Sequence, residues 1–220
     1  MSFRKPSNKG GVKKYIGKFP SFRLNMVIWF ESLLERDFLC LLEYDYFDVK
    51  FFKSQPCRIH YRSDGKKRRY TPDFLVIRNS KRQIVEVKPE EKALEQKNRA
   101  LYRIAAQTCA KEGYEFRVVT DVEIRVEPRL DNIKLLLRYQ RTPTEPQHQI
   151  YCQEFFGDRH NATLQQVMEF FEGKDVEKQV VYSLIRWGAL GVDLMEPIVA
   201  DSLVFLPGNH SSGGELNVGL

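Results

Sequence analysis

Tyr70-Thr71-Pro72-Asp73-Phe74-Leu75-Val76-Ile77, a tight turn at Asn79-Ser80, then Gln83-Ile84-Val85-Glu86-Val87-Lys88 read as two strands of a hairpin. β-Branched and aromatic residues dominate both runs, and Pro89 closes the second. If the hairpin is centred between Asn79 and Ser80, Asp73 falls directly opposite Glu86, with Cβ atoms roughly 4.5–5.5 Å apart. Lys88, two residues past Glu86, emerges on the same face of the strand. Two carboxylates at that separation can share a hard divalent ion through oxygen. A neighbouring ammonium can hold a water or offset charge building on a phosphate. The bland alternative is a surface ion pair of Asp73 or Glu86 with Lys88 at the end of a hairpin.

Around this hairpin the periodicity changes twice. Met26–Phe30 reads as a short strand, and Ser32 as the N-cap of a helix to Glu43 with Leu34, Phe38, Leu41 and Leu42 facing a core. Val49–Lys53 and Arg58–Arg62 read as strands, Glu91–Lys111 as a helix ended by Gly113, and Phe116–Thr120 as a last strand. Helix, β-meander, helix and strand make an α/β or α+β domain. Glu35, in the first turn of the first helix, is the candidate third carboxylate. It also completes an S-x-x-E capping box with Ser32, so capping its own helix is the competing role. Glu31 and Glu43 are the rival carboxylates, Glu43 the weaker because its charge opposes the macrodipole at a helix C-terminus.

Charge divides the 220 residues unevenly. Residues 1–88 hold 20 Lys and Arg against 9 Asp and Glu, a balance of +11, whereas residues 89–220 hold 15 against 20. Such asymmetry suggests a polyanion partner for the first part, most simply nucleic acid. Lys66-Lys67-Arg68-Arg69 precedes the Asp73 strand, as a DNA-binding loop beside the site or as a solvated turn. No apolar run approaches the roughly 18 residues of a membrane span, and no apolar stretch follows the basic N-terminus, so a cytoplasmic protein without membrane contact is expected. Cys40, Cys57, Cys109 and Cys152 form no C-x-x-C pair and read as free thiols.

Pro72-Asp73 followed by Glu86-Val87-Lys88 resembles the signature of PD-(D/E)xK nucleases. The longer pattern resembles TnsA, the endonuclease subunit of heteromeric transposases, including those of CRISPR-associated transposons. That pattern is Ser-Leu-Leu-Glu-Arg-Asp-Phe-Leu-Cys-Leu-Leu-Glu-Tyr-Asp over residues 32–45, Ser54-Gln55-Pro56, Tyr70–Val76 and Glu86-Val87-Lys88-Pro89. The resemblance implies a restriction-endonuclease-like domain. In it Glu35, Asp73, Glu86 and Val87 hold magnesium, with manganese as a substitute, and Lys88 completes the catalytic set. Some members have glutamine at the position of Glu86. Gln55 matches a recurrent position and receives no catalytic role. Partners implied are DNA at transposon ends, a TnsB-like DDE transposase and a TnsC-like AAA+ ATPase.

The expected organisation is a flexible basic arm over 1–20, the endonuclease domain over 21–128, a linker with a short helix over 129–146, a small winged-helix domain over 147–207 and a flexible tail over 208–220. In the fourth segment Thr163-Leu164-Gln165-Gln166 is a capping box, Asp175 is read as the cap of a second helix through Trp187, and Val192–Leu194 can pair with Ser202–Leu206 as a wing. Residues 143–220 carry 4 basic and 11 acidic residues, which suits protein contact better than phosphate contact. Two other functions stay open from sequence: a catalytically idle assembly module of a transpososome, and a stand-alone restriction-type nuclease.

Overall fold

A computed structural model describes residues 15–63 and 65–208. The chain divides into two compact units, one ending at Arg125 and one starting at Val126. In order, the first unit contains β1 (Gly17–Ser21), β2 (Met26–Phe30), α1 (Leu33–Tyr44), β3 (Val49–Ser54), β4 (Ile59–Ser63), β5 (Lys66–Tyr70), β6 (Phe74–Arg78), β7 (Arg82–Lys88), α2 (Glu90–Ala93), α3 (Gln96–Lys111), β8 (Glu115–Thr120) and α4 (Asp121–Ile124).

Its centre is a four-stranded sheet ordered β3-β6-β7-β8. β3, β6 and β7 run antiparallel, and β8 returns parallel to β7 across the helical crossover α2–α3. The pairs Phe74–Val85, Leu75–Ile84, Val76–Gln83 and Ile77–Arg82 are those of a hairpin centred between Asn79 and Ser80. Neighbouring strand residues face opposite ways, which fixes the layers. Phe74 meets Phe38 of α1 with ring centroids 5.6 Å apart. Leu75 and Ile84 instead join Ile59, Ala105, Cys109, Tyr114 and Phe116 on the α3 side. Helices therefore cover both faces of the sheet, as its apolar strands require.

Several readings from sequence are corrected. Residues 17–20 are not arm but part of β1, paired to β2. Gly17 lies opposite Phe30, whose ring fills the space a side chain would take, so the strand lacks the alternation that announces one. Residues 1–14 and 209–220 lie outside the described residues. Tyr70–Ile77 is two strands rather than one, broken at Thr71-Pro72-Asp73 where proline removes a ladder donor. Lys66–Arg69 is strand β5 and not a loop, paired along its length with β4. The helix read over 91–111 is interrupted at Glu95, whose ψ of 136° leaves the helical region.

The second unit contains α5 (Arg129–Leu137), α6 (Pro146–Phe156), β9 (Ala162–Thr163), α7 (Leu164–Glu172), α8 (Lys178–Arg186), β10 (Gly191–Val192) and β11 (Leu203–Phe205). The last two strands pair, and β9 adds to β11, giving a small antiparallel sheet ordered β10-β11-β9. Residues 129–146 are therefore not a linker. α5 buries Ile133 and Leu136, and Asn132 donates to the carbonyls of Leu194 and Glu196 while accepting from Ile198 N–H. Asp175 does not cap α8: it sits in the preceding turn at a φ of 60°, and Glu177 takes the N-cap position. The Thr163–Gln166 capping box of α7 is present. No helix among the described residues is long and apolar enough to cross a membrane.

Candidate active site

Three elements of the first unit bring carboxylates together, two at a cleft and one buried beneath it. α1 supplies Glu35 from its first turn. The Thr71-Pro72-Asp73 break between β5 and β6 supplies Asp73, and β7 carries Glu86, buried outside the cleft lining, beside Val87 and Lys88, which line it. The cleft, of about 580 Å³, is lined by Glu31, Glu35, Asp73, Val87, Lys88 and Lys92 among others. The strand break is what frees Asp73: its side chain leaves the ladder and its Oδ2 accepts the Val87 N–H at 2.8 Å. That single bond ties Asp73 to the strand carrying Glu86 and Lys88.

Glu86 is nearly inaccessible, with its side chain 5% exposed, and both its oxygens are engaged. Lys88 Nζ lies 2.9 Å from Oε1, and the Tyr70 hydroxyl donates to Oε2 at 2.7 Å. Burial works against the Lys88 ammonium, but the charge and hydrogen bond of Glu86, with Asp73 behind it, outweigh that and hold its pKa above the usual lysine value. Burial and then the charges of Glu86 and Glu35 push Asp73 well above the ordinary carboxylate range, against the Val87 hydrogen bond and Lys88. Glu35 is also raised, first by burial, with its hydrogen bonds opposing and Glu31 and Glu86 adding repulsion. Glu35, Asp73 and Glu86 thus crowd together, with Lys88 the cation paired directly to one of them.

Glu35 caps its own helix and also lines the cleft. Ser32 Oγ accepts its N–H at 3.1 Å and donates to its Oε1 at 3.0 Å, while its Oε2 accepts the Glu31 N–H at 2.7 Å. The same carboxylate faces the cleft. Of its rivals, Glu43 is wholly committed to structure, accepting from Ser21 Oγ and from the N–H groups of Phe22 and Arg23. Glu31 does line the cleft, and Gln55 Nε2 donates to its Oε1 at 2.8 Å. Gln55 itself holds a left-handed φ of 47° and donates its N–H to the Asp73 carbonyl at 2.7 Å. A left-handed residue other than glycine costs on the order of 1 kcal/mol, and here it braces both Asp73 and Glu31.

The donor set is anionic and all oxygen, which suits a hard divalent cation. Among the described residues, however, no three His, Cys, Asp or Glu side chains stand ready as a ligand group. Hydrogen bonds to Ser32, Glu31, Val87, Lys88 and Tyr70 occupy the carboxylates instead, so a cation would share oxygens that already accept. Val87 reaches the site through its backbone, its side chain being buried in the sheet.

Tyr70 is the residue that sequence reasoning missed. Its ring belongs to the core, but its hydroxyl is spent on Glu86. Tyr102 of α3 approaches the same pair. Its hydroxyl is buried without a protein partner, and burial followed by the Glu86 charge raises its pKa to about 12. Lys92 adds positive charge to the cleft wall, which its exposed helical position did not reveal, and Lys97 lines the wall paired with Glu95 at 2.8 Å. The basic run Lys66–Arg69 is not in the cleft lining but on the neighbouring β4–β5 ribbon. His60 is exposed there too.

Residues 47–121 match the family model described as the TnsA-like endonuclease N terminal. The match takes in Asp73, Glu86, Val87 and Lys88 and leaves Glu35 outside, so Glu35 joins the site on geometry. No curated protein matches the chain.

Proposed function

Starting from a TnsA-like endonuclease domain over residues 47–121, with the restriction-endonuclease-like α/β fold that this family implies, we propose that the chain is a divalent-metal-dependent DNA endonuclease. It cleaves the strands at transposon ends that a DDE transposase partner does not join to the target. The observation that carries this reading is the convergence of Glu35, Asp73 and Glu86 from three separate elements, the first two lining one cleft and the third buried beneath it and paired to Lys88 of the lining. A merely structural ion pair needs one carboxylate. Burial and neighbouring negative charge raise the pKa values of Glu35 and Asp73, such crowding costs stability, and function is the usual reason for retaining it.

Glu35, Asp73 and Glu86, with the backbone of Val87, are the groups that would hold magnesium or manganese. A bound ion of that kind supplies Lewis-acid stabilisation of phosphate charge and acidifies water. The protein's own contribution is positional. Val87 N–H fixes the Asp73 carboxylate, Tyr70 and Lys88 fix that of Glu86, and the Ser32 cap fixes Glu35. Lys88, kept protonated by Glu86, presents its ammonium where charge develops on a phosphate oxygen. Lys92 extends positive charge along the cleft for the flanking backbone, Lys97 being paired with Glu95.

We read the second unit, with α6, β9, α7, α8, β10 and β11 in that order, as a winged helix. Its α8 offers no basic face: Lys178 lies 3.8 Å from Glu172, and Arg186 is buried. A winged helix that read DNA would place cations on that helix, so this unit serves protein contact, with a TnsB-like transposase or a TnsC-like AAA+ ATPase. The test of the nuclease reading is Asp73→Ala in a transposition assay reconstituted with such partners. Losing the cuts on those strands converts simple insertions into cointegrates, with cleavage falling at least about a hundredfold. Simple insertions at the unaltered rate would leave the cleft without a catalytic role and favour the idle assembly module.

A further inference from the structure

β4 and β5 stand outside the four-stranded sheet as a two-stranded ribbon of five residues per strand. Its register pairs Ile59 with Tyr70, His60 with Arg69, Tyr61 with Arg68, Arg62 with Lys67 and Ser63 with Lys66. Opposed residues share a face, and the faces alternate along the strands. One face therefore carries Ile59, Tyr70, Tyr61, Arg68, Ser63 and Lys66. The other carries only His60, Arg69, Arg62 and Lys67.

The first face is anchored. Ile59 and Tyr70 pack into the core cluster with Ile84, Ala105 and Cys109, and the Tyr70 hydroxyl reaches Glu86. The second face is exposed throughout. Among the described residues, Arg62, Lys67 and Arg69 have no carboxylate partner within ion-pair distance. Arg62 stands directly across from Lys67, a like-charge cross-strand pair, which is a destabilising arrangement. A lone two-stranded ribbon is marginal to begin with, so its sequence works against its own stability on one face only. A polyanion laid on that face removes the penalty.

We propose that the His60–Arg69 and Arg62–Lys67 face of this ribbon seats in a groove of duplex DNA beside the cleft, an inference that rests on the nuclease reading above. Dimensions agree. From Tyr70 to Lys66 the strand advances roughly 13 Å. Two strands roughly 4.8 Å apart with their side chains match a major groove about 12 Å wide, which admits a two-stranded ribbon. The anchor locates the duplex: Arg69 adjoins Tyr70, whose hydroxyl touches the Glu86 carboxylate. A groove-bound ribbon thus holds the backbone near the site, and the ribbon's base is the same residue that orients Glu86.

The two faces give the test its control. Lys67→Glu/Arg69→Glu and Lys66→Glu/Arg68→Glu make the same change of net charge on opposite faces of the full-length protein. Binding to a short blunt duplex of mixed sequence is followed by fluorescence anisotropy in EDTA over a salt series. The first variant loses at least tenfold in affinity, and its salt slope falls by about two, near 0.9 for each phosphate contact removed. The second keeps its slope within about one. Lys67→Glu alone melts no lower than the parent, because a carboxylate opposite Arg62 replaces a repulsive pair with an attractive one. Equal losses from both faces, an unchanged slope in the first variant, or a lowered melting temperature for Lys67→Glu overturns the proposal. EDTA suppresses cleavage, so the outcome stands apart from the nuclease reading. A parent protein that never cuts DNA defeats that reading and leaves the ribbon result intact.

Discussion

Tyr70→Phe removes one oxygen atom and nothing else, which makes it the cleanest probe of how the site is held. The Tyr70 hydroxyl donates to Glu86 Oε2 at 2.7 Å, and the Glu86 side chain is 5% exposed, so no solvent replaces the lost donor. A hydrogen bond to a buried charged group contributes about 1.5–3 kcal/mol. In a chain of this size each kcal/mol moves the melting temperature by roughly 2–4 °C, so the variant should melt about 3–12 °C lower. Lys88 keeps Oε1 in place, so Glu86 loses orientation rather than position. Groups that orient metal-binding side chains are worth about 10–100-fold in metal affinity or activity. Cleavage should fall by that factor at limiting magnesium and recover partly at saturating magnesium. The double-mutant cycle with Glu86→Ala isolates the pair. A coupling energy inside the roughly 0.3–0.5 kcal/mol of ordinary additivity refutes the argument, as does an unaltered magnesium requirement.

Two further outcomes follow from the same geometry. The Asp73 carboxyl is raised above its unfolded value of about 3.9, so its stabilising neutral form is fully present below that pH and is lost as pH rises through the folded value. In EDTA the urea midpoint should therefore decline from about pH 4 upward. Asp73→Asn, neutral at every pH, should flatten that decline while abolishing cleavage; Glu35, shifted the same way, leaves a residual slope. Gly17→Ala places a Cβ 2.2 Å from Cζ of Phe30, and overpacking of that kind costs about 1–3 kcal/mol, read as a lower denaturant midpoint with unchanged slope.

How much of this was legible in the sequence depended on whether the signal was local. The β6–β7 register followed from two apolar runs and a two-residue turn, and it carried Lys88 to the Glu86 side with it. Ser32 and Glu35 announced the start of α1 because capping is a matter of three residues' spacing. The failures were non-local. β1 has no alternation, since Gly17 is shaped by Phe30 across the hairpin. The charged run Lys66–Arg69 looks like a turn because nothing in its own composition shows that β4 pairs with it. α5 reads as a connector until Asn132 meets the carbonyls of Leu194 and Glu196, more than sixty residues on.

The least legible feature was the most telling for function. A tyrosine between a basic run and a proline has every mark of a core residue, and its ring is one. Only in three dimensions does the ring's burial aim the hydroxyl at Glu86, and only the strand break at Pro72 lets Asp73 turn toward Val87 while Tyr70 stays in the ribbon. Proline here does two things through one missing N–H. It ends the ribbon and frees the carboxylate from the ladder. Restoring that donor with Pro72→Ala would let β5 run on into β6. Asp73 would then return to the alternation of the strand, opposite Glu86 but without the side-chain bond to the Val87 N–H that holds it. The site is therefore built at an interruption of the sheet, where the backbone pattern that defines the fold yields to the geometry that the carboxylates need.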